Sequence, residues 1–177
     1  MLRLREFMAE MVDQDGKTLW QINQEGEVML VFLRHFGCTF CREAMQELSR
    51  MKADIANRGV RLVLVHMAKD DLAFKYFQKY DLLDCHRISD PDCRFYQEFG
   101  LVKGTFNQLF GFRSWFRSIE AGLIKGHGFG AQLGDGFQMP GVFIISRGKI
   151  ISEFRHKFAS DKPDYLNMVE CPANTKA

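Results

Sequence analysis

An almost unbroken apolar run, Val28-Met29-Leu30-Val31-Phe32-Leu33, gives way at Arg34, and a helical pattern begins at Thr39. A run of that kind suits a parallel strand covered on both faces, which predicts a central strand in a layered sheet. Cys38 and Cys41 stand at the junction, with two residues between them. A C-x-x-C at a strand-to-helix turn puts its first sulfur at a helix start, where unpaired N–H groups and the positive end of the macrodipole favour a thiolate. The second sulfur follows one helical turn later, within disulfide reach of the first. Such a pair can attack an oxidised substrate and resolve the intermediate without a metal or an organic cofactor.

The remaining pattern extends this unit in both directions. Leu4, Phe7, Met8 and Met11 share one side of a short helix predicted over residues 2–12, Asp15-Gly16 marks a turn, and Lys17 to Ile22 reads as a short strand. Ala44, Met45, Leu48, Met51 and Ile55 recur at helical spacing from Thr39 to about Asn57, with Gly59 as the stop. Val60 to Met67 reads as a strand, Asp70 to Tyr80 as a helix, Cys85 to Ser89 as a strand, and Asp92 to Phe99 as a helix ended by Gly100. Thr105 to Leu123, which holds Trp115 among Phe110, Phe112 and Phe116, is expected to be helical, and a Gly-rich connection over 126–136 follows. Gly141 to Ser146 and Lys149 to Phe154 flank Arg147-Gly148, a hairpin signature. The order βαβαβα and then a hairpin predicts an α/β fold: a thioredoxin-like three-layer sandwich, with a mixed central sheet between helices. We read it as one domain over residues 1–177, with an N-terminal extension over 1–15 and a C-terminal tail over 165–177.

A chain of 177 residues can bury about 70% of its unfolded surface without disulfides or metals. Lys and Arg number 24 against 22 Asp and Glu, too even a balance for the basic field that nucleic acid or anionic lipid would require. The opening residues lead into no signal-peptide core, and no apolar stretch reaches the ~18 residues that span a bilayer. Five cysteines are an odd number, which argues against a secreted, fully paired framework. The expected setting is the cytoplasm, where thiols persist unless they cycle. The close pair is the candidate for cycling, and Cys85, Cys93 and Cys171 are expected to be buried or incidental.

The string Phe32-Leu33-Arg34-His35-Phe36-Gly37-Cys38-Thr39-Phe40-Cys41-Arg42-Glu43 resembles the active-site segment of the peroxiredoxin-like 2 family, in the AhpC/TSA redoxin superfamily. Ser89-Asp90-Pro91-Asp92, followed by Tyr96, Phe99 and Gly100, is similar to that family's third strand and helix. Gly134-Asp135-Gly136-Phe137-Gln138-Met139-Pro140-Gly141-Val142-Phe143-Ile144-Ile145 is similar to its closing hairpin. The resemblance implies a thiol-dependent oxidoreductase that reduces peroxides or disulfides, with thioredoxin or glutathione as external donor. It also implies a cis peptide before Pro140, with that proline facing the dithiol. The wider family includes reductases of prostaglandin-type endoperoxides, so organic peroxides fall in the implied range. One departure is informative. The peroxiredoxin pattern P-x-x-x-T-x-x-C, laid with its cysteine on Cys41, puts Arg34 where the proline stands and Cys38 where the threonine stands, which favours dithiol chemistry.

The candidate catalytic residues are therefore Cys38 and Cys41, with Cys38 taken as the attacking sulfur by thioredoxin logic and Cys41 by the peroxiredoxin alignment. Pro140, Thr39, Arg42 and His35 are candidates for lining the substrate groove or tuning the thiolate. Arg34, His35 and Arg42 all bring positive or titratable groups near the sulfurs, but alternation sends Arg34 and His35 to opposite faces, so they do not contribute equally. A zinc half-site is the first alternative; its further ligands would have to come from the scattered Cys85-His86, Cys93, His35 and His66, since no second close pair exists. A non-catalytic binding module that uses a Phe-rich surface is the second. The Gly-rich stretch lacks G-x-x-x-x-G-K-[S/T] and precedes a strand, so it is no phosphate loop, and no flavin or nicotinamide fingerprint appears. No metal and no cofactor are expected.

Overall fold

The computed structural model describes residues 2–105 and 135–170. Its sheet is built on the apolar run, which forms β1 (Glu27–Phe32). β2 (Val60–His66) runs parallel to it on one side, and β3 (His86–Ser89) runs parallel to β2. On the other side lies a hairpin of β4 (Gly141–Ser146) and β5 (Lys149–Arg155), with β4 antiparallel to β1. The order β3-β2-β1-β4-β5 makes β1 the centre of a mixed five-stranded sheet, as the sequence predicts. The hairpin turn is made by Arg147 (φ 49°) and Gly148 (φ 71°), the pair of left-handed residues that matches strand twist.

Successive side chains of a strand point to opposite faces, and β1 serves two cores in that way. Met29 and Val31, with Leu33 beyond them, pack with residues of α3 (Thr39–Asn57), α4 (Asp70–Lys79) and α6 (Tyr165–Glu170), among them Met45, Leu48, Phe77 and Met168. Val28, Leu30 and Phe32 pack with Met8 of α1 (Leu2–Glu10), Leu19 and Ile22 of α2 (Leu19–Gln24), and Phe95 and Tyr96 of α5 (Arg94–Glu98). Each fully buried apolar side chain stabilises the fold by roughly 1.5–3 kcal/mol relative to its exposure. Helices therefore cover both faces, and the three-layer expectation holds. No described helix is long and apolar enough to cross a membrane.

The structure departs from the sequence reading in three places. Lys17 to Ile22 is not a strand. Thr18 and Gln21 form a capping box, in which the Gln21 N–H donates to Thr18 Oγ1 at 3.1 Å and the Thr18 N–H donates to Gln21 Oε1 at 2.8 Å. Those reciprocal bonds satisfy two donors at a helix start and commit Leu19–Gln24 to α2. Within the stretch read as a C-terminal tail, residues 165–170 form a helix. The Asn167 N–H donates to Asp164 Oδ1 at 3.1 Å, and α6 buries Tyr165 and Met168 against α3.

The third correction concerns Pro140, whose preceding peptide is trans, because the described residues contain no cis bond. Trans is the default isomer for X–Pro. Here it suits a segment already fixed by its own hydrogen bonds, from the Met139 N–H to the Val102 carbonyl at 3.3 Å and from the Gln138 side-chain amide to the Leu101 carbonyl at 2.8 Å. The predicted helix over Thr105 to Leu123 and the Gly-rich connection lie almost wholly outside the described residues; Thr105, Asp135 and Gly136 are their described ends.

Candidate active site

β4 is antiparallel to β1, with Gly141 paired to Phe32, so the chain entering β4 meets the chain leaving β1. The C-terminal ends of the parallel strands converge on that same edge of the sheet. Tyr96, on α5, donates its hydroxyl to the Leu33 carbonyl and at 3.2 Å to the Val65 carbonyl, joining the extension of β1 to β2. Asp90 holds the start of α5 by accepting from the N–H groups of Phe95 at 2.8 Å and Arg94 at 3.0 Å. Beyond Leu33 the turn is plugged by Phe36, buried and stacked on Tyr76 with ring centroids 4.7 Å apart. Arg42 ties the turn to the helix by donating from Nε to the Phe36 carbonyl at 2.9 Å.

This frame places Cys38 as the N-cap of α3 and Cys41 one turn inside it, both as free thiols and both buried. Arg34 Nη1 donates to Cys38 Sγ at 3.0 Å. The same guanidinium donates from Nε to the Gln138 carbonyl at 3.3 Å and from Nη2 to the Gly136 carbonyl. It thus clasps the first sulfur to the segment leading into β4. A planar fork with several donors makes such a three-way contact; an ammonium group would not. Cys41 donates to the Arg34 carbonyl at 3.2 Å, and burial together with the neighbouring Cys38 drives its pKa far up. The two sulfurs are therefore unlike: one receives a guanidinium donor, and the other is kept as a thiol.

The other predicted site residues fall unevenly around this pair. Thr39 is the buried first residue of α3, and Pro140 lines a cavity together with Cys41 and Arg34. Arg42 is buried over the Tyr76 ring, 5.7 Å from its centroid. His35 is half-buried, and desolvation, reinforced by Arg34 and Arg42, lowers its pKa to about 4. It is neutral at pH 7 and supplies no positive charge to a thiolate. Of the two residues weighed at the strand end, Arg34 is the one that touches sulfur. Cys85 and Cys93 are buried, and desolvation raises their pKa values to about 12 and about 11. Cys171 and Trp115 lie outside the described residues. Among the described residues, no three or more His, Cys, Asp or Glu side chains converge on a point where a metal could sit.

Sequence reasoning missed part of the cavity's lining. His156 and Ser160, which follow β5, and Lys162, which bonds Glu43 Oε1 at 2.8 Å, line it together with Cys41. No spacing in the sequence links them to the dithiol, because the hairpin fold brings them there.

A dithiol at a helix start, beside the edge where an antiparallel hairpin joins a parallel sheet, defines the thioredoxin-fold class of redox proteins. Within that class the chain belongs to the AhpC/TSA antioxidant enzyme family, whose model matches residues 47–157. It is similar to peroxiredoxin-like 2A from Bos taurus, with 31% identity over 94% of this chain and 74% of that protein. The human peroxiredoxin-like 2A is 31% identical over 88% of this chain and 65% of its own length. A prostamide/prostaglandin F synthase from Salmo salar is 26% identical over 85% of this chain and 73% of its own. Among solved structures, peroxidoxin BcpB from Mycobacterium tuberculosis superposes with a TM-score of 0.64 at 14% identity, covering 94% of this chain and 92% of that one. The bacterioferritin comigratory protein of Xanthomonas campestris, described by its alkyl peroxide reduction activity, gives 0.61 at 13% identity, over 94% and 89%. The structural matches speak for the fold. Family membership supports a redox role of the thiol-peroxidase type.

Proposed function

We propose that the protein is a thiol-dependent peroxidase or disulfide reductase working through a Cys38/Cys41 dithiol–disulfide cycle. The observation that carries this reading is the unlike treatment of two free thiols in one turn: Arg34 donates to Cys38 Sγ at 3.0 Å, whereas burial keeps Cys41 protonated. With a hydroperoxide, the Cys38 thiolate attacks the terminal oxygen and the O–O bond breaks. Cys38 becomes a sulfenic acid, and the alkoxide leaves as the alcohol after taking a proton. Cys41 then attacks the Cys38 sulfur, its proton leaves with the departing hydroxyl as water, and an intramolecular disulfide forms. An external dithiol, or two molecules of glutathione, returns both sulfurs to thiols by exchange and is itself oxidised to a disulfide.

The related synthase from Salmo salar and the alkyl peroxide reduction of the Xanthomonas campestris protein make organic peroxides the first substrates to try. The test is steady-state turnover of a panel of peroxides and disulfides, with thioredoxin or glutathione as donor. Peroxide turnover by the parent that Cys38→Ser abolishes is the expected result. Equal activity in a well-folded Cys38→Ser protein overturns the assignment. The need for an external thiol donor fits a cytoplasmic setting, which fractionation of tagged protein would check.

A further inference from the structure

The cavity beside Cys41 does not have Cys38 in its walls, so its chemistry concerns the second sulfur. Ser160, also in the wall, is 2% exposed, and its Oγ makes no hydrogen bond within the protein. Tyr165 lines the cavity from α6. Burial pushes its phenol up, and Glu47, Cys41 and Glu43 push it further, so the hydroxyl lies within electrostatic reach of all three and stays protonated at pH 7. Lys162 joins Glu43 Oε1 at 2.8 Å and also bonds Glu47. The Glu43 side chain is 4% exposed, that of Lys162 32% and that of Glu47 26%, so this cluster leads from the cavity to solvent. The cavity volume is about 40 Å³. One water needs about 10–15 Å³ on that measure, which leaves room for a short file of waters. A buried hydroxyl without a protein partner is the kind of group such waters satisfy.

The reductive half of the dithiol cycle needs a proton at that sulfur. The donor thiolate attacks Cys38 Sγ, the Cys38–Cys41 bond breaks, and its electron pair stays on Cys41. Burial, then the neighbouring Cys38, hold the Cys41 pKa far up, so the sulfur leaves as a thiol and one proton from solvent must reach it. Few of the charged and titratable groups around Cys41 can carry that proton. A guanidinium does not give up its own, which rules out Arg34 and Arg42. The His156 ring, held by the backbone at Pro140 and Asp161, has its pKa lowered to about 4 by burial and is uncharged at pH 7. Asp161 is taken up by the backbone N–H groups of Lys157 and Phe158, each at 2.8 Å. The hydroxyls of Ser160 and Tyr165 remain. Each donates and accepts at once, which is what passing a proton along a file of waters demands.

We propose that the cavity is a water-filled proton route to Cys41, running from the Glu43–Lys162–Glu47 cluster past the hydroxyls of Ser160 and Tyr165 to the sulfur. The inference rests on the dithiol cycle above and adds positioning residues for its second sulfur. In the opposite direction the same file removes the Cys41 proton when that sulfur attacks a mixed disulfide on Cys38. The donor then leaves as a thiolate, and no departing hydroxide is there to take the proton.

The test uses the whole chain, oxidised with diamide to the Cys38–Cys41 disulfide and then reduced with dithiothreitol. Samples are quenched in acid and the remaining disulfide is counted by mass, in ordinary and in heavy water at equal dithiothreitol thiolate. The parent should be slower in heavy water, because a proton moves in the step. Tyr165→Phe keeps the ring and its packing; it should slow reduction by about a hundredfold, the low end of what a positioned proton carrier supplies, and lose the heavy-water effect. Ser160→Ala should act in the same direction, and Ser160→Thr, which keeps a hydroxyl, should return the parental rate; that pair serves if Tyr165→Phe fails to fold. Unchanged rates in Tyr165→Phe and Ser160→Ala, a parent indifferent to heavy water, or a slowed variant that keeps the full heavy-water effect overturns the route. Peroxide turnover by the parent is followed in parallel. Turnover with both variants unaffected in disulfide reduction sinks the route alone, whereas an intact route without turnover sinks the peroxidase reading. Failure of diamide to join Cys38 to Cys41 overturns both.

Discussion

Replacing Arg34 with Met tests the electrostatic asymmetry of the two sulfurs. The substitution keeps an unbranched apolar stem and deletes the guanidinium that serves Cys38 Sγ and the carbonyls of Gly136 and Gln138. A hydrogen bond to a charged group is worth about 1.5–3 kcal/mol net. Losing the one to sulfur should therefore slow thiolate chemistry at Cys38 by roughly 10- to 150-fold, since 1.36 kcal/mol is a factor of ten. The two buried carbonyls left without a donor cost roughly 1–3 kcal/mol each in stability. Those effects separate by assay. Iodoacetamide alkylation of Cys38 at pH 7, in a Cys41→Ser background, reads the first, and urea unfolding reads the second. Arg34→Lys should restore part of the alkylation rate through its charge but little of the stability, because the three donors of an ammonium sit on one nitrogen and do not span the acceptors that Arg34 reaches from Nε, Nη1 and Nη2. An unchanged alkylation rate in folded Arg34→Met would refute the reasoning and move the origin of Cys38 reactivity to the helix start alone.

Other outcomes follow from the same structure. His35 and His156 have folded pKa values near 4 against an ordinary 6.5, so between those values the unfolded chain binds more protons than the native one. Stability is complete above pH 6.5 and is lost as pH falls towards 4. Urea midpoints at pH 7 and pH 5 should show the drop, and His156→Gln should flatten it; an identical drop in that variant counts against a neutral His156. Cys85 and Cys93, with pKa values of about 12 and about 11, should resist alkylation at pH 7.4, where less than about one in a thousand of such thiols is ionised. Mass mapping that finds either labelled as fast as Cys38 contradicts their burial. Thr18→Ala removes half of the capping box and should cost about 1 kcal/mol, visible as a lower melting temperature; no change would show that α2 is held by its packing alone.

Much of the fold was legible because β1 and α3 carry strong periodic signals that tertiary context reinforces. Val28 to Leu33 is apolar on both faces, and only the centre of a covered sheet accommodates that. The short elements were harder. Lys17 to Ile22 carries the strand-favouring Thr18, Trp20 and Ile22, yet the Thr18/Gln21 capping box, two residues at a fixed offset, outweighs that preference. The six residues of α6 are too few for a period, and their packing on α3 defines them. At the site, the dithiol and its helix start are local and were readable. Which of Arg34 and His35 reaches sulfur depends on the carbonyls of Gly136 and Gln138, about a hundred residues away in the chain. Ser160 and His156 gave no signal at all, since an orphaned hydroxyl shows itself only once its surroundings are folded. The trans peptide before Pro140 shows a limit of resemblance: the isomer it implied did not carry over.

The central claim is that Cys38 and Cys41 form one redox couple. Trypsin cleavage after Arg34 and Arg42 releases His35–Arg42 with both sulfurs on a single peptide. Reduced protein is treated with one equivalent of hydroperoxide, quenched with iodoacetamide and digested. The account predicts that this peptide escapes alkylation and loses about 2 Da as an internal disulfide, while Cys85 and Cys93 stay as thiols until the protein is unfolded for labelling. A doubly alkylated His35–Arg42 peptide after the oxidant has been consumed, or a disulfide joining either cysteine to Cys85, Cys93 or Cys171, would contradict it.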